Sequence, residues 1–325
     1  MDADSTPPPT RVRAGGTVLS LLAGPLCAPI LRAHVDGPLR LPDLREQIGG
    51  AAQTTLRGQV GNLRAIGALE RHVRNGMPYT VENELTDVGR AILDVADWVE
   101  AWLAQAPHGP IAFGSEPAKG AIRSLVAGWG STILRALATR PLSLTELDGV
   151  IPEISYPSLE RRLSAMRAAR QVEALPSDAA GARPYSVTNW ARQAVGPLVA
   201  AGRCECEHLA GHAEPLTRID IEAAFMLAVP LVALPANASG SCLLAVSGAN
   251  GEGATERLTG VDVELAQGEV AACVSRLESE PETWVTGPVN SWVAAILDGY
   301  VDGLRLGGDS ELAHVLIERM HRSLA

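Results

Sequence analysis

The sequence predicts a mixed fold: two mainly α units of helix-turn-helix type, each carrying a β-hairpin, followed by an α+β domain. Three observations predict it. A segment of roughly 100 residues recurs along the chain. Within each copy, apolar residues keep a helical spacing that gives way once to a pair of short strand-like pieces. The last third then changes to several strand-like runs and a strongly acidic composition. With 325 residues, of which 46% are hydrophobic, the chain is long enough for two or three packed domains.

The repeat sets the domain organisation. Ser20–Gly24 reappears as Ser124–Gly128, and Ile30-Leu-Arg-Ala33 as Ile133-Leu-Arg-Ala136. From there an offset of 103 pairs Pro38 with Pro141, Leu44 with Leu147, Leu56 with Leu159, Arg64 with Arg167 and Glu70 with Glu173. The expected boundaries are a polar tail at 1–10, a first unit at 11–104, a linker at 105–118, a second unit at 119–212 and a third domain at 213–325.

Each copy reads alike. An apolar helix is expected over Val18–Val35 and Ile122–Thr139, stopped at Gly37-Pro38 and Arg140-Pro141. A short helix follows, over Leu41–Ile48 and Leu144–Ile151. A third spans Gln53–Gly67 and Pro157–Gln171, with apolar residues at 56, 60, 63, 66 and at 159, 163, 166, 169 marking one buried face. Strand pieces come next, Ala68–Val73 with Tyr79–Glu82 and Val172–Leu175 with Tyr185–Val187. A last helix closes each unit, over Asp87–Ala104 and Trp190–Leu209.

Helix, helix, turn, helix and hairpin make a winged helix-turn-helix, whose third helix can enter a DNA major groove. The copies resemble the HxlR-type branch of the MarR-like regulators. The residues that carry this are Leu22-Ala-Gly24 with Ile30-Leu-Arg32, Gly37–Leu44 and Leu85-Thr-Asp-Val-Gly89. In the second copy they are Gly128-Trp129, Pro141–Leu147 and Ile151–Ser155. The first copy lacks the Trp expected after Gly24, and the second lacks a clear Thr-x-x-Gly after its hairpin. The resemblance implies a cytoplasmic, DNA-binding transcriptional regulator, read here as a repressor and not as an enzyme. Such regulators pair two reading heads. One chain carrying both is expected to be a monomeric pseudo-dimer, or a homodimer of such chains.

Charge supports the division of labour. Residues 11–104 hold 10 Arg against 10 Asp/Glu, and residues 119–212 hold 11 Lys/Arg against 8 Asp/Glu. The third domain holds 6 Arg against 16 Asp/Glu, so the chain's net charge of −10 belongs to it. On the first third helix, Thr54, Arg57, Gly58 and Gly61 point outward, with Gln53 and Thr55 at its start. Arg57 suits a guanine and Gln53 an adenine. Arg64, Arg71, His72 and Arg74 suit phosphates. In the second copy the candidates are Ser155, Tyr156, Ser158, Arg161, Arg162 and, after the hairpin turn, Arg183. Glu160 stands where Arg57 stood, so the heads should read different half-sites, or the second has become structural.

In the third domain strands are expected over Leu227–Leu234, Ser241–Ser247, Glu256–Val261 and Glu269–Val274. Helices are expected near Asp220, over Glu282–Asp298 and over Ser310–Leu324. The order resembles a sterol-carrier-protein-2-like domain, through the strands leading to Gly268, Thr283–Pro288 and Val301–Asp309. That resemblance implies a pocket for a small hydrophobic or aromatic effector, lined by Phe225, Met226, Trp284, Trp292 and Tyr300, and hence a ligand-controlled regulator. A hydrophobic-ligand carrier with scaffold helix-turn-helix units is the rival reading.

Other chemistry is weaker. Cys204, Cys206, His208 and His212 form one cluster with metal-like residues, but three sites at i, i+4 and i+8 span too far for one ion on a straight helix. Cys27 is either a thiol switch or a small buried residue. Gly248–Gly253 lacks the Lys-Ser/Thr of a phosphate loop. No cofactor is expected. The longest apolar run, Ala223–Pro235, is too short to span a bilayer, so no membrane partner is expected.

Overall fold

A computed structural model describes residues 14–74, 80–126, 130–177, 183–209, 214–247, 258–275 and 281–324. The first unit contains α1 (Gly16–Leu22), α2 (Cys27–Ala33), β1 (Leu39–Arg40), α3 (Leu41–Gln47), α4 (Gln53–Ala65), β2 (Leu69–Arg74), β3 (Thr80–Leu85) and α5 (Asp87–Ala104). The expected first helix is in fact two, bent by 84°. Pro25 follows Gly24 at the break, and proline disfavours helical backbone at the residue before it. No single helix among the described residues is long and apolar enough to cross a membrane.

The second segment repeats this order with α6 (Glu116–Val126), α7 (Gly130–Thr139), α8 (Leu144–Val150), α9 (Tyr156–Ala168), β4 (Val172–Ala174), β5 (Tyr185–Val187), α10 (Asn189–Gln193) and α11 (Val195–His208). The expected closing helix is likewise two, meeting at Ala194, and of the expected Ile122–Thr139 helix residues 127–129 lie outside the described residues. The correspondence extends to individual hydrogen bonds. Thr86 Oγ1 donates to the Gly67 carbonyl (2.6 Å) and accepts from the Gly89 amide (3.2 Å). Thr188 Oγ1 donates to the Arg170 carbonyl (2.9 Å) and accepts from the Ala191 amide (3.2 Å). Each threonine thus caps a closing helix while tying it to the end of the helix before the hairpin. Thr188 does this with alanine in place of the motif's glycine. β1 pairs with β3 through Leu39, and the repeat partner Leu142 bridges Tyr185 with two backbone bonds (3.1 and 2.8 Å).

The units share a core. α5 packs along α11, and α1 lies against both α11 and α6. Where α5 meets the start of α11, the Trp98 ring occupies the space a side chain at Gly196 would need: a Cβ there would stand 2.6 Å from the ring. Trp102 and Trp190 stack with ring centroids 4.6 Å apart and planes 7° from parallel. Each indole donates to the other residue's carbonyl at 2.8 Å, so both buried N–H groups are satisfied by the same contact.

Glu205 of α11 is fully buried and accepts from the Gly15 and Val18 amides at 2.7 Å each. It caps α1 from another unit, which is why no side chain within α1 caps it. Burial pushes its carboxyl up, against the pull of the amide bonds. A carboxyl raised on folding contributes stability that is present in acid and lost as pH rises through its folded value. Lowering pH from about 8 to about 5 should therefore raise the melting temperature of the wild type relative to Glu205→Gln. Parallel profiles would contradict it.

The third domain is a five-stranded sheet in the order β10-β9-β6-β7-β8, from β6 (Gly240–Val246), β7 (Thr259–Ala266), β8 (Glu269–Val274), β9 (Thr283–Gly287) and β10 (Arg305–Gly307). Among its described strands β6 and β9 run parallel and the other neighbours antiparallel. α12 (Arg218–Ala228), α13 (Val289–Asp298) and α14 (Ser310–Leu324) complete it. Two expectations are corrected. Leu227–Leu234 is not a strand: α12 runs through Ala228 into a 3-10 turn at Val229–Leu231, because Pro230 removes a donor that either a longer helix or a ladder would need. Glu282–Asp298 is not one helix: Thr283–Gly287 is a buried strand paired on both sides, and Pro288 caps α13. Thr217 and Asp220 close α12 in a reciprocal capping box. The domain docks through α13 on α11, and through Arg192, which donates to the Met226 carbonyl at 2.9 Å.

Candidate nucleic-acid interface

α4 buries Leu56, Val60 and Leu63 against the first unit's core. That leaves Gln53, Thr54, Thr55, Arg57, Gly58, Gly61 and Arg64 exposed. Gly58 and Gly61 are open: a Cβ at either would meet nothing within 4 Å. The free protein gives no packing reason for two glycines that each cost the helix about 1 kcal/mol relative to alanine.

Some cations are held by carboxylates, while Arg90, Arg123, Arg167 and Arg319, like those of this face, are exposed and make no salt bridge among the described residues. Arg32, Arg40, Arg135, Arg140, Arg203 and Arg322 all pair with carboxylates. Arg57, Arg64 and Arg71 are exposed and make no salt bridge among the described residues. The hairpin is less basic than its sequence suggests. His72 lies directly across from Glu82 and within 3.1 Å of Glu84, with Glu70 on the same face. Sequence reasoning missed this because the acidic residues come from both strands and meet His72 only through the register. Arg74 ends β2, and its side chain lies outside the described residues.

On α9 the inward residues are Leu159, Leu163 and Met166. The outward groups engage one another. Ser155 Oγ donates to Ser158 Oγ (2.9 Å), and Arg161 donates to the same oxygen (3.3 Å). Tyr156, Glu160 and Arg183 are exposed. Arg162 is turned away from this face: half-buried, it donates to the Arg123 and Ser124 carbonyls at 3.3 Å, and burial lowers its pKa. Arg167, the repeat partner of Arg64, is exposed on α9 and belongs with the candidates.

The five effector-pocket candidates are not brought together. Phe225 and Trp292 pack edge to face, centroids 4.5 Å apart, and both are fully buried. The Trp292 indole donates to the Ala245 carbonyl (2.9 Å). Met226 touches the Cys273 thiol. Trp284 lies over Gly307 on the neighbouring strand, and Tyr300 stands 63% exposed. Three of the five are core, because a domain poor in aromatics spends those it has on packing.

Among the described residues no set of three His, Cys, Asp or Glu side chains could hold a metal ion. Cys204 is buried with its thiol pushed up to about 12, Cys206 faces solvent, and His212 lies outside the described residues. Cys27 is buried at the start of α2, and burial pushes its thiol up to about 12, the opposite of a reactive thiolate.

Residues 26–108, from α2 past α5, match the HxlR-like helix-turn-helix family. That segment contains α3, α4 and the hairpin, and the match supports a DNA-binding transcription regulator. The reduced form of the transcriptional regulator YodB from B. subtilis is 28% identical, with 28% of this chain and 89% of that chain covered and a TM-score of 0.27. Diamide-treated YodB from B. subtilis is 29% identical, with 27% and 88% covered and a TM-score of 0.26. No curated protein matches the chain.

Proposed function

We propose that the chain is a transcriptional repressor that binds duplex DNA through two tandem winged helix-turn-helix units joined as an intramolecular pair. The first unit is the principal reader. The observation that carries this is the exposed face of α4 and β2, where Arg57, Arg64 and Arg71 have no carboxylate partner among the described residues in a chain of net charge −10. Unpaired arginines beside two open glycines fit a surface that a phosphate backbone approaches closely. The second unit, with Glu160 at the Arg57 position and Ser158 bonded to both Ser155 and Arg161, contributes orientation and a different half-site. The acidic third domain repels DNA and limits non-specific binding. Control by a small effector belongs to this reading, at a site other than the packed aromatics of that domain.

The test is selection of duplexes from a random pool by the intact chain, followed by titration at rising salt. A regulator predicts a selected sequence whose affinity falls linearly with the logarithm of salt concentration. Absence of salt-sensitive duplex binding would favour the carrier reading, in which the helix-turn-helix units are scaffold.

A further inference from the structure

A cleft of about 750 Å³ lies where the segment joining the two units crosses the second one. Its walls are Ala106–Ala112 of the joining segment, the Ala121 side of α6, Ala165 and Ala168 near the end of α9, and Trp190. Its size and mostly apolar lining suit a small organic molecule. Its charge is one-sided. His108, Arg123, Arg162 and Arg170 line it, and among the described residues no Asp or Glu does.

Two further features set the cleft apart. The repeat supplies an internal control: Leu19, Gln59 and Gly67 occupy the first unit's positions for Arg123, Arg162 and Arg170. The cationic set is therefore not required by the winged-helix fold. Arg170 also adopts a left-handed backbone (φ 59°) where the first unit has Gly67 (φ 78°). A side chain pays a steric penalty there that glycine avoids. Its guanidinium reaches across the cleft to Nε2 of His108, bridging α9 to the joining segment.

We propose that this cleft binds a small aromatic carboxylate. Its flat body lies on the alanine and proline walls and the Trp190 edge, and its carboxylate is held by Arg123, Arg170 and Arg162. Arginine is suited to that task by its planar fork of donors. Occupancy would fix α9 against the joining segment and against the Trp102–Trp190 stack, and so bias how the two heads are set. That last consequence rests on the DNA-binding reading above; the binding itself does not.

The test uses the intact chain without DNA, with 2-naphthoate and its uncharged analogue 2-naphthylmethanol as probes in titration calorimetry. The wild type should bind naphthoate at least tenfold more tightly than the alcohol. Arg170→Gly should raise the melting temperature by roughly 1–3 °C, because it restores the residue suited to that backbone, and still weaken naphthoate about tenfold or more. Arg123→Ala should weaken it too, with the fold intact. No naphthoate binding, equal binding of both probes, or unchanged binding by Arg170→Gly would overturn the proposal. So would a finding that Arg123→Ala and Arg170→Gly leave naphthoate binding intact while lowering duplex affinity, since the cluster would then be a phosphate contact.

Discussion

Replacing Trp102 with alanine is expected to destabilise the protein by about 3–5 kcal/mol in equilibrium denaturation. Trp102 is fully buried, so the loss includes its transfer energy and a cavity in the seam between the two units. It also leaves the Trp190 carbonyl without the indole N–H that it accepts from, and strips the Trp190 ring of its stacking partner, while the backbone carbonyl at 102 still accepts from the Trp190 indole. Trp190→Ala should cost a similar amount. The double variant should cost less than the sum, by about 0.5–3 kcal/mol, because each single change removes the same stack. The Trp102→Ala loss should also appear as a split transition, as expected of a seam that couples the unfolding of the two segments it joins. Additive costs, or a single unshifted transition, would mean that the Trp102–Trp190 stack does not couple the units.

The second large effect concerns recognition. Arg57→Ala should weaken binding to a selected duplex by about 1–3 kcal/mol, roughly 5- to 150-fold, and relax the base preference at one position. Arg64→Ala should instead weaken all duplexes alike and reduce the salt slope by about one. Glu160→Ala, at the corresponding place on α9, should leave affinity unchanged or raise it. Gly58→Ala separates reading from stability: the open site accepts a methyl, so the free protein gains up to about 1 kcal/mol while the duplex is held further off. Gel-shift titration alongside thermal melting distinguishes the two. Equal effects of Arg57→Ala and Arg64→Ala on every duplex would make Arg57 a phosphate contact.

Much of this was legible in the sequence wherever a period or a cap was present. The stripe Leu56, Val60 and Leu63 gives α4 its buried side, and the boundaries of α5, β8 and α14 fall where the sequence places them. Legibility failed where apolar runs carry no helical or strand period. Leu227–Leu234 and Thr283–Gly287 carry no alternation, so helix and strand could not be told apart by pattern. The bend between α1 and α2 depends on Gly24-Pro25 inside a run that otherwise reads as continuous. Pairings across sequence distance were beyond reach. His72 meets Glu84 through strand register, and Glu205 reaches Gly15 across 190 residues. Arg170 meets His108 only once the joining segment folds over α9. The aromatics of the third domain were read by rarity, which marks packing as readily as it marks binding.

On the proposed reading, one chain presents both reading heads to one duplex. This is tested most directly by determining the stoichiometry on a selected duplex while mapping backbone protection with hydroxyl radicals. The account predicts one chain per duplex and two protected patches about 34 Å apart, of which Arg57→Ala weakens only one. Two chains per duplex, each protecting a single patch, would contradict it.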